Sequence, residues 1–232
     1  MLSLRSILSL HGSALVLDAA SARTQVGWLA GADDAGAWYG HDAEAGEALF
    51  RGLESLRCDV LQAGCLIFCE GPGSVLGIRT AAVLLRTWTT LKPRPCFAYR
   101  SLELVAHGPH APGLAVIADA RRDTWHVVGR GADDAPQPLQ RLPASQLPAR
   151  RGMPEHFRHW APLPEGTRRV PYDVGTLLHA TAHRPLLRES PEPDAFLHED
   201  PQYVTWTPHV HQAPAGTPAR HGSGNAGQRP IA

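Results

Sequence analysis

Apolar positions recur at two spacings along this chain, and each change of spacing marks a new element. Ala14 to Asp18 is a short apolar run ending in an acid, followed by a small-residue turn over Ala19 to Arg23 and partial alternation from Thr24 to Leu29. That pattern predicts strand, turn, strand. Gly31 to Gly36 reads as a loop, and Ala37 to Gly40, with Trp38 and Tyr39, supplies a third strand of the same meander. Over Ala43 to Leu56 the period lengthens. Leu49, Leu53 and Leu56 recur at helical spacing while Glu44, Glu47, Arg51 and Glu54 take other faces, which predicts an amphipathic helix.

Cys65 to Cys69 is a continuous apolar strand broken by Glu70-Gly71-Pro72-Gly73-Ser74, and Val75 to Leu91 then reads as a helix. At 100° per residue the apolar side chains of this helix, from Leu91 and Leu84 through Ala81, Leu85, Ile78 and Ala82 to Val75, cover an arc of roughly 200°. Covering one sheet face takes about half of that. Either a second layer of this protein or a partner is expected to cover the rest. If Ile78, Ala82 and Leu85 pack on the sheet, the edge with Ala81, Leu84 and Trp88 is left over.

Further strands are expected at Pro95 to Tyr99, Leu114 to Asp119 and Trp125 to Val128, and a short helix at Ser101 to Ala106. Beyond about Asp133 the chain is rich in Pro and Arg, and only Val174 to His183 reads as a helix. From Pro208 onward Pro, Gly, His, Ala and Gln dominate, which predicts a disordered tail.

Composition narrows the function classes. Among 232 residues, 22 basic side chains cancel 22 acidic ones. With no net charge, a strongly basic, freestanding nucleic-acid binder is disfavoured. No apolar run reaches the roughly 20 residues that cross a bilayer, so no membrane partner is expected. The first 22 residues carry Arg5, an apolar stretch and Ala20-Ser21-Ala22, which mimic a secretory leader. His11-Gly12-Ser13 interrupts the stretch and Asp18 precedes the supposed cleavage point, so the segment reads as part of the mature protein. Of the four cysteines, three lie in apolar stretches and none forms a C-x-x-C pair. They read as small buried hydrophobes in a reducing, cytoplasmic compartment.

The Gly71-Pro72-Gly73-Ser74 loop between a buried strand and a helix is the most informative local feature. Glycines permit close backbone approach, Ser74 can cap the helix, and free N–H groups there would form a cradle for an anion. The plainer alternative is a tight strand-to-helix turn without a ligand. Among thirteen histidines, His179 and His183 share one face of a predicted helix at metal-ligand spacing. No Glu accompanies them, and no metal is expected. G-x-S-x-G is absent around Ser74, so no nucleophilic triad can be assigned.

E-G-P-G-S-V-L-G-I-R from Glu70 to Arg79, then Arg100-Ser101-Leu102-Glu103, then Asp119-Ala120-Arg121 after Ile117, resembles the TsaB family, also called YeaZ. Leu17-Asp18-Ala19-Ala20 is similar to that family's opening motif, and Pro201-Gln202-Tyr203-Val204 to a late one. Gly71, Pro72, Gly73, Ser74, Gly77 and Arg79 are thus the family-motif loop, and Asp119, Ala120 and Arg121 the second motif.

The resemblance implies an α/β fold of the actin-like, sugar-kinase-like (ASKHA) kind. Its two lobes would place an extension at 1–13, a first lobe at 14–106, a second, divergent lobe at 107–207 and the tail at 208–232. It implies a non-catalytic scaffold subunit, without cofactor, that activates a TsaD-type subunit for N6-threonylcarbamoyladenosine modification of tRNAs reading ANN codons. A TsaE-type ATPase joins them, and tRNA is met only through the complex. Such proteins associate through helices of the first lobe, which places Leu49, Leu53, Ala81, Leu84 and Trp88 at the interface. Val75-Leu76 replaces the usual F-T, and Thr205 stands where the family tends to have Arg. Two other readings stand beside this one: a phosphotransferase or hydrolase of the same fold using Asp18, Asp119 and the glycine loop, and a homodimeric structural protein. Ala19-Ala20-Ser21 after Asp18, without Gly, disfavours the phosphate-wrapping turn of the enzyme reading.

Overall fold

The computed structural model describes residues 1–129, 131 and 137–196. They belong to one compact unit, Met1–Leu197. The Pro201 to Val204 motif, Thr205 and the 208–232 tail lie outside the described residues.

The chain opens with β1 (Leu2–Ser3) and α1 (Leu4–His11), then the meander β2 (Ala14–Asp18), β3 (Thr24–Leu29) and β4 (Ala37–His41). α2 (Ala45–Ser55) follows, then β5 (Cys65–Gly71), α3 (Val75–Leu91), β6 (Cys96–Arg100) and α4 (Ser101–His107). The remainder comprises β7 (Ala115–Asp119), β8 (Thr124–Val128), β9 (Gln140–Pro143), β10 (Arg151–Pro154), β11 (Arg168–Val170), α5 (Val174–Ala180) and β12 (Pro185–Glu189).

Two mixed sheets result. The larger runs β1-β12-β6-β5-β2-β3-β4, with β2, β5 and β6 parallel and β2-β3-β4 antiparallel. Continuous apolar runs suit strands covered on both faces, and all seven residues of β5 are buried. The smaller sheet runs β11-β10-β7-β8-β9. α4 packs against β5 and β6 of one sheet and β7 and β8 of the other, and every one of its residues is buried.

Glu103 of this helix and Glu70 of β5 share two arginines. Arg100 approaches Glu70 at 3.0 Å and Glu103 at 3.3 Å, while Arg188 of β12 approaches them at 2.8 and 3.1 Å. Paired in this way, four mostly buried charges tie β5, β6, α4 and β12 together.

The termini of this unit depart from the expected division. Residues 1–13 are not an appendage: Leu4, Ile7 and Leu8 are buried, and β1 pairs with β12. The 107–207 segment does not stay with the second sheet either, because β12 returns to pair antiparallel with β6 of the first. Among the described residues no helix is long and apolar enough to cross a membrane.

Candidate functional site

The glycine loop joins β5 to α3 through a cis Gly71–Pro72 bond. Ser74 caps the helix, its Oγ accepting from the Gly77 N–H at 3.3 Å. The space that an anion cradle would need is filled by the chain's own hairpin turn. Ser74 N–H donates to the Ala20 carbonyl at 2.7 Å, and a Cβ at Gly73 would stand 2.2 Å from that same oxygen. A Cβ at Gly77 would meet the Ala19 carbonyl, also at 2.2 Å. The glycines therefore serve close packing of the β2–β3 turn against the start of α3, the plainer of the two readings. Ser101 Oγ, from the Arg100-Ser101-Leu102-Glu103 stretch, donates to the Pro72 carbonyl at 2.6 Å and holds the loop from the other side.

Asp18 ends β2 directly beneath this turn and is fully buried. Its Oδ2 accepts from the hydroxyls of Tyr99 and Tyr172, each at 2.6 Å, and its Oδ1 accepts from Ala20 N–H at 3.0 Å. Burial pushes the carboxyl above its ordinary value, against the opposing pull of those hydrogen bonds. Both oxygens are engaged within the chain, as in a carboxylate that pins a hairpin turn. The two tyrosines were not legible as its partners, since neither lies near it in sequence. Cys69 adjoins the cluster, and burial pushes its thiol well up; Cys65 rises to about 12 and Cys96 to about 11 for the same reason. All four cysteines are free.

Asp119 closes β7. Its Oδ1 accepts from Arg121 N–H, and its Oδ2 from the N–H groups of Trp160 and Ala161. Partial burial raises this carboxyl, and the three backbone donors outweigh that and leave it below its ordinary value. The second motif thus clamps the 155–161 loop across the sheet end, with Ala120 at the start of the turn and Arg121 lying over Trp160. In the same sheet, burial next to Arg141 brings His126 down to about 4.

The pair α2 and α3 corrects the expected interface. Leu49, Leu53 and Ala81 are buried inside the chain, so they are not available to a second molecule. Leu84 and Trp88 are half-buried, packed against the core. α2 covers the Leu84 side of α3, with Gly46 beside the Thr80 methyl. Of the wide apolar arc only its two ends, Val75 and Leu91, are exposed, and further exposed apolar side chains lie outside it, at Leu76 (75% exposed) and Val83 (58%) of α3 and at Phe50 of α2 (53%). Between them Thr80 and Thr87 turn their hydroxyls back onto the Leu76 and Val83 carbonyls, each at 2.9 Å. Leu76, Val83 and Thr87 thus present carbon to the outside, half-buried Thr80 turns its methyl towards α2, and both hydroxyls are satisfied within the helix. The other flank of α3 is occupied: Arg79 and Arg86 approach Asp194 at 3.8 and 3.2 Å.

The histidine pair does not form on a helix. α5 stops at Ala180, and His183 falls in the turn beyond it.

No family model and no curated protein matches this sequence. Solved structures do. The fold is like that of YeaZ. YeaZ from Pseudomonas aeruginosa superposes with a TM-score of 0.52 at 16% identity, over 72% of this chain and 89% of that one. An uncharacterized protein with similarity to peptidase YeaZ, also from Pseudomonas aeruginosa, gives 0.53 at 15%, over 72% and 88%. At such identities the likeness is one of fold, an α/β arrangement of mixed sheets. It and the motif resemblance point to the same proteins.

Proposed function

We propose that this chain is the cytoplasmic, non-catalytic scaffold subunit of the tRNA N6-threonylcarbamoyladenosine machinery, a divergent two-lobe, actin-like (ASKHA) protein of the TsaB kind. It binds a TsaD-type subunit and holds it in its active arrangement, and a TsaE-type ATPase joins the pair. The observation that carries this reading is the exposed apolar face of α3 at Leu76 and Val83. Exposed apolar side chains grouped on a folded chain mark a binding surface, and these lie on one of the helices through which TsaB-like proteins associate. The enzyme reading requires a carboxylate free to meet a phosphate or metal, whereas Asp18 is held by Tyr99, Tyr172 and Ala20. The test is co-expression with the host's own TsaD-type subunit: the two elute as one species, and tRNA modification returns in cells lacking the natural scaffold. Elution of two separate species contradicts it.

A further inference from the structure

The end of the smaller sheet carries a strip of cationic and aromatic side chains, Arg121 of the second motif among them, that the proposed scaffold role does not use. Asp119 builds it. By accepting from Trp160 and Ala161 on one oxygen and from Arg121 on the other, it brings the 155–161 loop against the turn after β7.

The Arg121 guanidinium then lies 3.8 Å from the centre of the Trp160 ring. Trp160 is nevertheless 60% exposed, so much of the indole stays open. On its other side His159 Nδ1 faces the Ala161 carbonyl at 2.9 Å and so carries the proton, leaving Nε2 to accept from Arg169 at 3.2 Å. The strip therefore reads Arg169, His159, Trp160, Arg121.

Arg122 and Arg158 flank it. All four arginines are exposed, and none makes an ion pair among the described residues. Nearby acids do little to offset them. Asp119 is turned inward onto three N–H groups, Glu155 is half-buried, and Asp123 alone is exposed in the same turn. Arg121, Arg122 and Asp123 all take positive φ (64°, 51° and 56°). Left-handed backbone at three successive non-glycine residues is uncommon, and here it holds both arginines on the outer side of the turn.

Exposed guanidinium groups around an open indole suit a ligand that alternates phosphates with flat rings. Base-on-aromatic stacking and phosphate neutralisation are the two terms that hold single strands. We propose that this strip binds an unpaired stretch of nucleic acid, one base stacking on Trp160 with flanking phosphates on Arg121, Arg122, Arg158 and Arg169. RNA and DNA share that chemistry. The proposal rests on this surface alone, not on the scaffold reading above, in which tRNA is met only through a partner.

The test is fluorescence anisotropy of the full chain with labelled 12-residue oligouridylate and oligothymidylate across a salt series. Saturable binding is expected for at least one of them, and which one identifies the strand. With four phosphates engaged, log K falls with log salt at a slope of about −3, from roughly −0.7 per phosphate on single strands. Trp160→Ala weakens binding about tenfold or more and leaves the slope alone. Arg121→Glu with Arg169→Glu weakens it and makes the slope shallower. Arg5→Glu, an exposed reversal elsewhere, leaves it within about twofold. Circular dichroism verifies that each variant folds. Absence of saturable binding at 50 mM salt, or wild-type affinity in Trp160→Ala, overturns the proposal.

Discussion

The backbone N–H of Ser74 donates to the carbonyl oxygen of Ala20 at 2.7 Å, so the N-terminus of α3 is seated on the turn that follows the first-sheet carboxylate. One hydrogen bond thereby joins the glycine loop to Asp18 through the chain itself. Where the sequence left open a cradle for an anion, a peptide carbonyl stands.

Gly73→Ala tests this seating. A Cβ at position 73 would stand 2.2 Å from the Ala20 oxygen and 2.9 Å from its Cβ, so the turn must move. Overpacking of this kind costs about 1–3 kcal/mol, or a melting temperature lower by about 2–4 °C per kcal/mol at this chain length. Unchanged melting of the variant contradicts the close approach.

Asp18 makes a pH-dependent contribution. Its pKa is raised in the folded protein by burial, so folding favours the neutral carboxyl. The stability it contributes is complete below the unfolded value of about 3.8 and is lost as pH rises through the folded value. Asp18→Asn cannot ionise. Wild-type unfolding free energy, measured by urea titration from pH 4 upward, therefore falls relative to Asp18→Asn, by at most about 1.4 kcal/mol per pH unit. A difference independent of pH contradicts this assignment.

His126 acts in the opposite direction. Its pKa falls from 6.5 to about 4 because burial and Arg141 oppose the imidazolium. Above pH 6.5 its contribution is complete, and it is lost as pH falls from 6.5 towards 4, while the unfolded chain takes up a proton that the folded one refuses. The loss is of order 3 kcal/mol at most. His126→Gln removes that part of the acid sensitivity, and an acid-unfolding midpoint shared by variant and wild type argues against it.

Elements with a clear period were legible in the sequence. α3 runs over Val75 to Leu91 as its spacing predicts, and the meander β2 to β4 agrees within a residue. The strands Gln140–Pro143, Arg151–Pro154 and Arg168–Val170 were not, because three or four residues rich in Arg and Pro establish no period. α1 was obscured by its likeness to a secretory leader. For the site, the helical wheel located two apolar edges on α3 without telling which one α2 would cover. That depends on where Gly46 meets Thr80, and nothing local to α3 records it. Tyr99 and Tyr172 escaped for the same reason: they converge on Asp18 only once β6 and the segment before α5 are in place.

The proposed scaffold role makes the outer face of α3 the docking surface. Val83 sits in the middle of that face, exposed and away from the core, so Val83→Glu leaves the free chain intact while placing a charge inside any complex formed there. A buried charge without a partner costs on the order of 3–5 kcal/mol, a weakening of roughly 150-fold or more. The deciding measurement is isothermal titration of the TsaD-type subunit into wild type and Val83→Glu, with circular dichroism of both. Docking through this face predicts wild-type binding, loss of measurable binding in the variant and identical spectra. Equal affinity of the two chains for that subunit, with both folded, would contradict it.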